Sequence, residues 1–445
     1  MKKSLLAVAA MTAFAGAAQA QSSVSVYGIM DLGYVGSNAQ TYGATSPNLN
    51  SKVTVNQITA GAESTSRLGF KGTEDLGGGT SAIFTIELGL NPQNPQLTGT
   101  AAAAGTYDQQ GTSNTGGASV DNRQSFVGLQ KNGVGAVMIG RQYTTMFDQV
   151  AATSPNGMNQ VFGDAIYVGA STQGSQGSGM YYLEGFTNRA SNAIKFDSDP
   201  FAGARAHAFY ALNATNTAVT TANTGGNSNW GGFGLSLDYT LSKFYATAAY
   251  QSFKTAQSNN SAAASVQLGG NGCTDLSCQY QTPGTAAMTA SNLSDKQAYV
   301  AATYDFGILK AFAQYVNRNV YQNYSETAVA NSSTTGAGQV FRRDAKQIGI
   351  RSYVTPSIEA WASAGMGSYT GIAIATVNGA APGAQLATAT ANKFTSYQLG
   401  ANYYLSKRTN LYGIFGAAQT SSNTTGNIGS GTAANNYALG LRHTF

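Results

Sequence analysis

An all-β chain forming a transmembrane antiparallel barrel is the fold class this sequence predicts, and three features predict it. First, Tyr437 to Phe445 alternate with period two: Tyr437, Leu439, Leu441, His443 and Phe445 fall on one face, and Ala438, Gly440, Arg442 and Thr444 on the other. Such alternation is a strand with an oily side and a wet side. Second, MKKSLLAVAAMTAFAGAAQA carries two lysines, an apolar run from Leu5 to Ala18 and the small-x-small site Ala18-Gln19-Ala20. That is the pattern of a secretory signal peptide cut before Gln21. Third, no later segment has the long apolar run of a membrane helix. A secreted chain that crosses a membrane without helices does so as a closed barrel. The expected organisation is a cleaved leader over 1–20 and one barrel over 21–445, with Phe445 at a membrane interface.

Composition agrees with this reading. Gly is abundant (54), Tyr high (25), Pro scarce (8) and charge low (10%), which suits tight turns and aromatic girdles. An extracellular solenoid or adhesin can share such a composition, so the spacing has to decide. With Lys2 and Lys3 set aside, 22 of the 24 basic residues remain and nearly balance the 19 acidic ones, and no nucleic-acid partner is expected. His207 and His443 are the only histidines, too little material for a Ser/His/Asp hydrolase, so no enzyme is expected. No cofactor or metal is expected either. Cys273 and Cys278, in CTDLSC, have no further zinc ligands nearby and read as a disulfide in a secreted chain.

Along the chain, alternating strands come in pairs. Val24 and Val26 open the first strand, with Tyr27 and Asp31 on its other face. After a long polar stretch, Leu68 and Phe70 point one way while Arg67 and Lys71 point the other. Three glycines after Leu76 permit a tight turn. Ala82, Phe84, Ile86 and Leu88 then face lipid, and Thr85 and Glu87 face inward. Further short turns fall at Lys131-Asn132-Gly133, Asp199 to Gly203, Leu241-Ser242-Lys243, Asp305-Phe306-Gly307, Thr355-Pro356-Ser357 and Leu405 to Arg408. Long connections fall near 37–63, 92–120, 143–188, 214–227, 255–293, 321–342, 371–391 and 421–435. Seven short turns and eight long loops join 16 strands, with short turns on one rim and long loops on the other. The termini then meet, so no sheet edge is left in lipid. A barrel of this size leaves an aqueous lumen, and a lumen without a catalytic cluster is a channel.

Parity also sorts the charges. Arg67, Lys71, Arg189, Lys195, Arg205, Lys310, Arg351 and Arg442 point inward, against the acids Asp31, Glu87, Asp197 and Asp238. An Arg or Lys facing lipid at mid-membrane costs about 2–4 kcal/mol, which gives parity its force. The basic excess predicts a mild anion preference. Tyr239, Phe244, Tyr250, Tyr304, Tyr315, Tyr403, Tyr412, Tyr437 and Phe445 sort toward strand ends as interface girdles. The segment 143–188 is long enough to be functional. It has no Lys or Arg and carries Asp148, Asp164 and Glu184.

The stretch SRLGFKGTEDLG from Ser66 resembles the general porins of beta-proteobacteria, the neisserial-type Gram-negative porin family. SSVSVYGIMDLG, NRQSFVGL (Asn122–Leu129), IGRQYT (Ile139–Thr144), YYLSKRTNLYG (Tyr403–Gly413) and YALGLRHTF resemble the same family, in the same order. The resemblance implies a trimer of 16-stranded barrels, each narrowed by an inward-folded third loop. It also implies that Arg67, Arg123 and Arg189 form a pore cluster facing acids of that loop, for which Asp148 and Asp164 are the candidates. Arg123 shares its parity with outward Val127 and Leu129, so its inward position requires a β-bulge or a strand that begins after it; Arg141 is equally ambiguous, because it sits where the strand gives way to the third loop. The expected function is passive diffusion of small hydrophilic solutes and inorganic ions across the outer membrane of a Gram-negative bacterium. Expected partners are outer-membrane lipid and lipopolysaccharide, two further copies, and the barrel-assembly machinery acting through the terminal strand. A substrate-specific channel and an adhesin-like barrel without an open pore are the alternatives.

Overall fold

The computed structural model describes residues 23–42, 51–93, 97–98, 121–167, 186–221, 224–259, 290–322, 338–371, 392–421 and 431–445. The leader, Glu184, Cys273 and Cys278 lie outside them. The strands are β1 (Ser23–Tyr42), β2 (Ser51–Ala60), β3 (Arg67–Gly77), β4 (Thr80–Gly89), β5 (Asn122–Lys131), β6 (Gly135–Tyr143), β7 (Arg189–Ser198), β8 (Ala204–Thr221) and β9 (Thr224–Leu241). They continue as β10 (Phe244–Asn259), β11 (Ala290–Asp305), β12 (Lys310–Gln322), β13 (Gly338–Thr355), β14 (Ile358–Gly371), β15 (Asn392–Ser406), β16 (Thr409–Thr420) and β17 (Gly431–Thr444). Among the described residues one helix, α1 (Thr145–Thr153), follows β6.

All strands lie in one antiparallel sheet of 17 elements that closes through β1 and β17, from Ile29 opposite Thr444 to Tyr42 opposite Gly431. The other edge of β1 is shared: Leu32 to Thr41 pair with β2, and Ser23 to Ile29 pair with β3. Thus β2 and β3 are two lengths of one interrupted stave, and the barrel has 16 staves. The interruption begins at Gly61, whose φ of +80° suits glycine. The backbone N–H groups of Glu63 and Ser64 donate to the Asp31 carboxylate at 2.9 and 2.6 Å, which replaces the ladder bonds given up there.

All seven expected short turns are present on one rim. Two expected loops are mainly strand instead. Residues 37–42 and 51–60 continue the ladder, so the first connection shrinks to 43–50, and β8 and β9 run to Thr221 and from Thr224. Polar Ser, Thr and Asn there resemble loop composition, but strands above the hydrocarbon level no longer need an oily face. In the span that does, Val127, Leu129, Ile139, Leu235, Leu237, Leu399 and Leu439 are more than half exposed. So continuous an apolar belt belongs against lipid. Tyr412 is an exception among the expected girdle residues: it is buried, and its hydroxyl donates to Asp31 Oδ1 at 2.7 Å.

The third loop enters the lumen. Thr144 caps α1 by accepting the Phe147 N–H at 3.2 Å. Met146 and Val150 of α1 are fully buried, and Thr153 Oγ1 lies 2.6 Å from the Tyr299 hydroxyl. Residues 154–167 then cross to the opposite wall. Gln398 takes the Asn159 amide at 2.6 Å and donates to the Val161 and Phe162 carbonyls at 3.0 Å. Gln347 accepts the Ala165 N–H at 2.7 Å. The loop backbone comes so close to β16 that a side chain at Gly416 would collide with the Phe162 carbonyl.

Candidate functional site

Arg67 on β3, Arg123 on β5 and Arg189 beginning β7 converge beside the root of α1. Arg123 donates from Nε to Glu87 Oε1 at 2.7 Å and from Nη2 to the Tyr143 hydroxyl at 2.7 Å. Arg67 Nη1 lies farther from the same carboxylate, at 3.7 Å, and its other donors reach the Thr65 carbonyl and Ser64 Oγ. The Arg189 guanidinium stacks on the Tyr143 ring at 5.6 Å. Tyr143 in turn stacks on Phe147 of α1, with centroids 4.0 Å apart and planes 3° from parallel. Tyr27 donates to Glu87 Oε2 at 3.1 Å, and Lys71 lies over the Tyr27 ring. Arg67 and Arg123 thus share Glu87, while Arg189 joins the group through Tyr143 and Lys71 through Tyr27, with Asp121 at its edge.

The conflict of parity at Arg123 is resolved by a register shift. Glu87 pairs with Gln124 and Leu88 with Asn122, so Arg123 is the extra residue of a β-bulge and turns inward. A second shift, between Gly140 and Gln142, lets Arg141 lie outside the lumen set and bond the Asn122 carbonyl and Ser191 Oγ.

The two loop acids do not stand opposite these arginines, which corrects the expectation for both. Asp148 of α1 pairs with Lys195 on β7, which also lies 3.5 Å from Asp197 Oδ2. Asp164 folds back on its own loop and accepts from the Asn156 amide at 2.9 Å and from the Ile166 and Tyr167 N–H groups at 2.8 and 2.9 Å. Burial pushes its carboxyl above the ordinary carboxylate range, and these donors offset only part of the rise. Both acids position the loop, because a carboxylate entering a crowded lumen is held by the nearest donors.

The remaining sequence candidates are distributed around the wall. Arg351 pairs with Glu359 at 3.2 Å and stacks on Trp361. Arg442 reaches Glu63 at 3.0 Å, and Glu63 also accepts from Asn402 and Asn410. Lys310 lies over Phe312 beside a short turn, and Arg205 stands across from Asp238. His207 bridges Asp197 and Asp238, with 2.8 Å on each ring nitrogen. In the terminal strand, Leu439, Leu441 and Phe445 face outward and exposed, and His443 bonds Thr409 Oγ1.

Several lumen residues were not singled out from sequence. Arg318 pairs with Asp295 at 2.8 Å in full burial, and Arg343 donates to the Ala165 carbonyl at 2.5 Å. Gln251, Gln297, Gln347 and Gln398, all on the inward face, hold the backbone or side chains of the third loop. Glutamine recurring at inward parity on neighbouring strands was a usable signal.

The model for the family described as Gram-negative porin matches residues 7–425. This chain belongs to the Gram-negative porin family. As a member of that family, it is an outer-membrane protein. Related porins include an outer membrane porin protein of Bordetella pertussis, 30% identical over 50% of this chain and 51% of that protein. Outer membrane porin protein 32 of Delftia acidovorans is 33% identical over 51% and 54%. Major outer membrane protein P.IB of Neisseria meningitidis is 28% identical over 48% and 50%. The matched stretches span about half the length of these relatives. Among solved structures, the anion-selective porin from Comamonas acidovorans shares the fold with a TM-score of 0.58, 19% identity and coverage of 96% of this porin and 100% of that chain. A trimer form of an outer membrane protein of Vibrio cholerae shares it with a TM-score of 0.50, 14% identity and coverage of 95% and 99%.

Proposed function

We propose that this porin is a water-filled channel for passive diffusion of small hydrophilic solutes and ions, mildly anion-selective and assembled as a homotrimer. The observation that carries the proposal is the convergence of Arg67, Arg123 and Arg189, with Lys71 nearby, where the third loop narrows the lumen. Arginine stays charged at any working pH and presents a fork of donors to a passing anion. A ring of one sign in a narrow, low-dielectric passage raises the local concentration of the opposite ion. The anion-selective neighbour and the trimeric one support this reading by likeness of fold. The reading is of a channel and not an enzyme: each nitrogen of His207 is already committed to a carboxylate, leaving neither to activate a nucleophile.

The test is the reversal potential of the purified protein in a planar bilayer under a tenfold potassium chloride gradient. A steady conductance with the sign for chloride is expected. A potassium sign would refute the arginine control of the passage, and no conductance at all would favour the adhesin-like barrel.

A further inference from the structure

Histidine is the side chain whose ordinary charge change falls near neutral pH, and this chain has two. His443 lies in the terminal strand against Thr409 Oγ1. His207 stands on the inward face of β8, close to the short turn from β7. Its Nδ1 lies 2.8 Å from Asp197 Oδ1 on β7, and its Nε2 lies 2.8 Å from Asp238 Oδ1 on β9. A carboxylate only accepts, and a neutral imidazole has a single N–H. A neutral ring would turn a bare lone pair toward one of the two carboxylates. One further proton satisfies both contacts, as charge-assisted hydrogen bonds. Placing that proton on a carboxylate instead of the ring leaves the total charge of the bridge the same.

The bridge belongs to a longer chain of alternating charge. Asp148 of α1 pairs with Lys195 on β7, and Lys195 also lies 3.5 Å from Asp197 Oδ2. Arg205 on β8 stands across the ladder from Asp238. Tyr245 of β10 is the remaining titratable side chain of this wall among the described residues, and its hydroxyl donates to Gln149 Oε1 of α1 at 2.8 Å. With the proton in place, Asp148, Asp197 and Asp238 are balanced by Lys195, Arg205 and His207. Without it the wall is a net acid. The Asp148 and Asp197 side chains keep 37% and 30% exposure, so this balance is open to the lumen beside the helix of the third loop.

We propose that His207 is a second determinant of ion selectivity, whose proton cancels the acid surplus of the wall formed by β7, β8 and β9. An uncancelled acid in a narrow passage raises the local concentration of cations, against the pull of Arg67, Arg123 and Arg189. Alkaline pH, which strips the proton, therefore moves the pore toward potassium. The proposal rests on the channel reading above and not on the sign of the channel's selectivity.

The test is the reversal potential of the full-length protein in a planar bilayer under a potassium chloride gradient, read from about pH 6 to about pH 10. In that window ordinary carboxyl groups stay ionised and lysine begins to titrate only at the top. His207→Gln removes the charge and keeps a polar side chain, and His207→Lys keeps the charge. Near neutral pH the Gln variant is expected to lower the chloride-to-potassium ratio by about two- to threefold, the effect of one screened charge at pore distances. The Lys variant is expected to hold the parent's ratio. As pH rises, the parent is expected to fall to the value of the Gln variant. Equal ratios of parent and Gln variant near neutral pH overturn the proposal. So does a deficit that persists in full at the alkaline end or that the Lys variant shares, because either marks a purely structural role. Should His207→Gln fail to assemble, His443→Gln is expected to keep the parent's whole alkaline fall, and its disappearance there overturns the assignment to His207. A potassium sign in the parent, with the His207 effect intact, refutes the anion reading alone. Absence of conductance refutes the channel reading and this determinant with it.

Discussion

Replacing Arg67 with Gln isolates one charge of the candidate constriction. Glu87 lies 2.7 Å from Arg123 but 3.7 Å from Arg67, so the carboxylate is committed chiefly to Arg123 and Arg67 is the surplus charge. Its side chain keeps 20% exposure, enough to meet a permeating ion. At about 5 Å in a water-like dielectric, that charge is worth about 0.8 kcal/mol to an anion. A Debye length of about 10 Å at 0.1 M salt trims this to about 0.5 kcal/mol. The anion gains and the cation loses, so removing the charge lowers the chloride-to-potassium permeability ratio by about two- to fivefold, taking 1.4 kcal/mol as tenfold. Reversal potentials of the parent, Arg67→Gln and Arg67→Lys read this directly. The Lys variant is expected to stay near the parent, and at 1 M salt, with a Debye length of about 3 Å, the Gln effect is expected to fall below about twofold. An unchanged potential in Arg67→Gln, or a Lys variant as impaired as Gln, would refute the reasoning.

Three other perturbations test the architecture. Glu87→Gln leaves buried Arg123 without its carboxylate and is expected to destabilise the barrel by about 3 kcal/mol while raising anion preference; urea unfolding that matches the parent would argue against the pair. Gly416→Leu places a side chain where the Phe162 carbonyl lies; the third loop is expected to be pushed off the wall and single-channel conductance to rise, and an unaltered conductance would contradict the packing described. Gly28→Leu collides with the Phe445 ring and with the closing ladder, where Gly28 and Phe445 exchange backbone hydrogen bonds of 3.1 Å. Loss of the heat-resistant compact band on electrophoresis is expected, and normal assembly would mean the seam tolerates bulk there.

By itself the sequence determined the strands, the seven short turns, the count of staves and the inward face. These are local properties: period-two alternation answers to lipid on one side and water on the other, and tight turns demand their own residues. It missed all of β2 and the upper ends of β1, β8 and β9, where neither solvent imposes an oily face. The bulge at Arg123 was legible as a conflict of parity, and its resolution depended on how β4 pairs with β5. The tertiary structure alone decided which charges meet. Asp148 finds Lys195, Asp164 turns back on its own loop, and Arg343 reaches Ala165. It also decided where the third loop rests, through partners such as Asn159 and Gln398 that are far apart in the chain. Closing the barrel creates that proximity, so no local pattern encodes it.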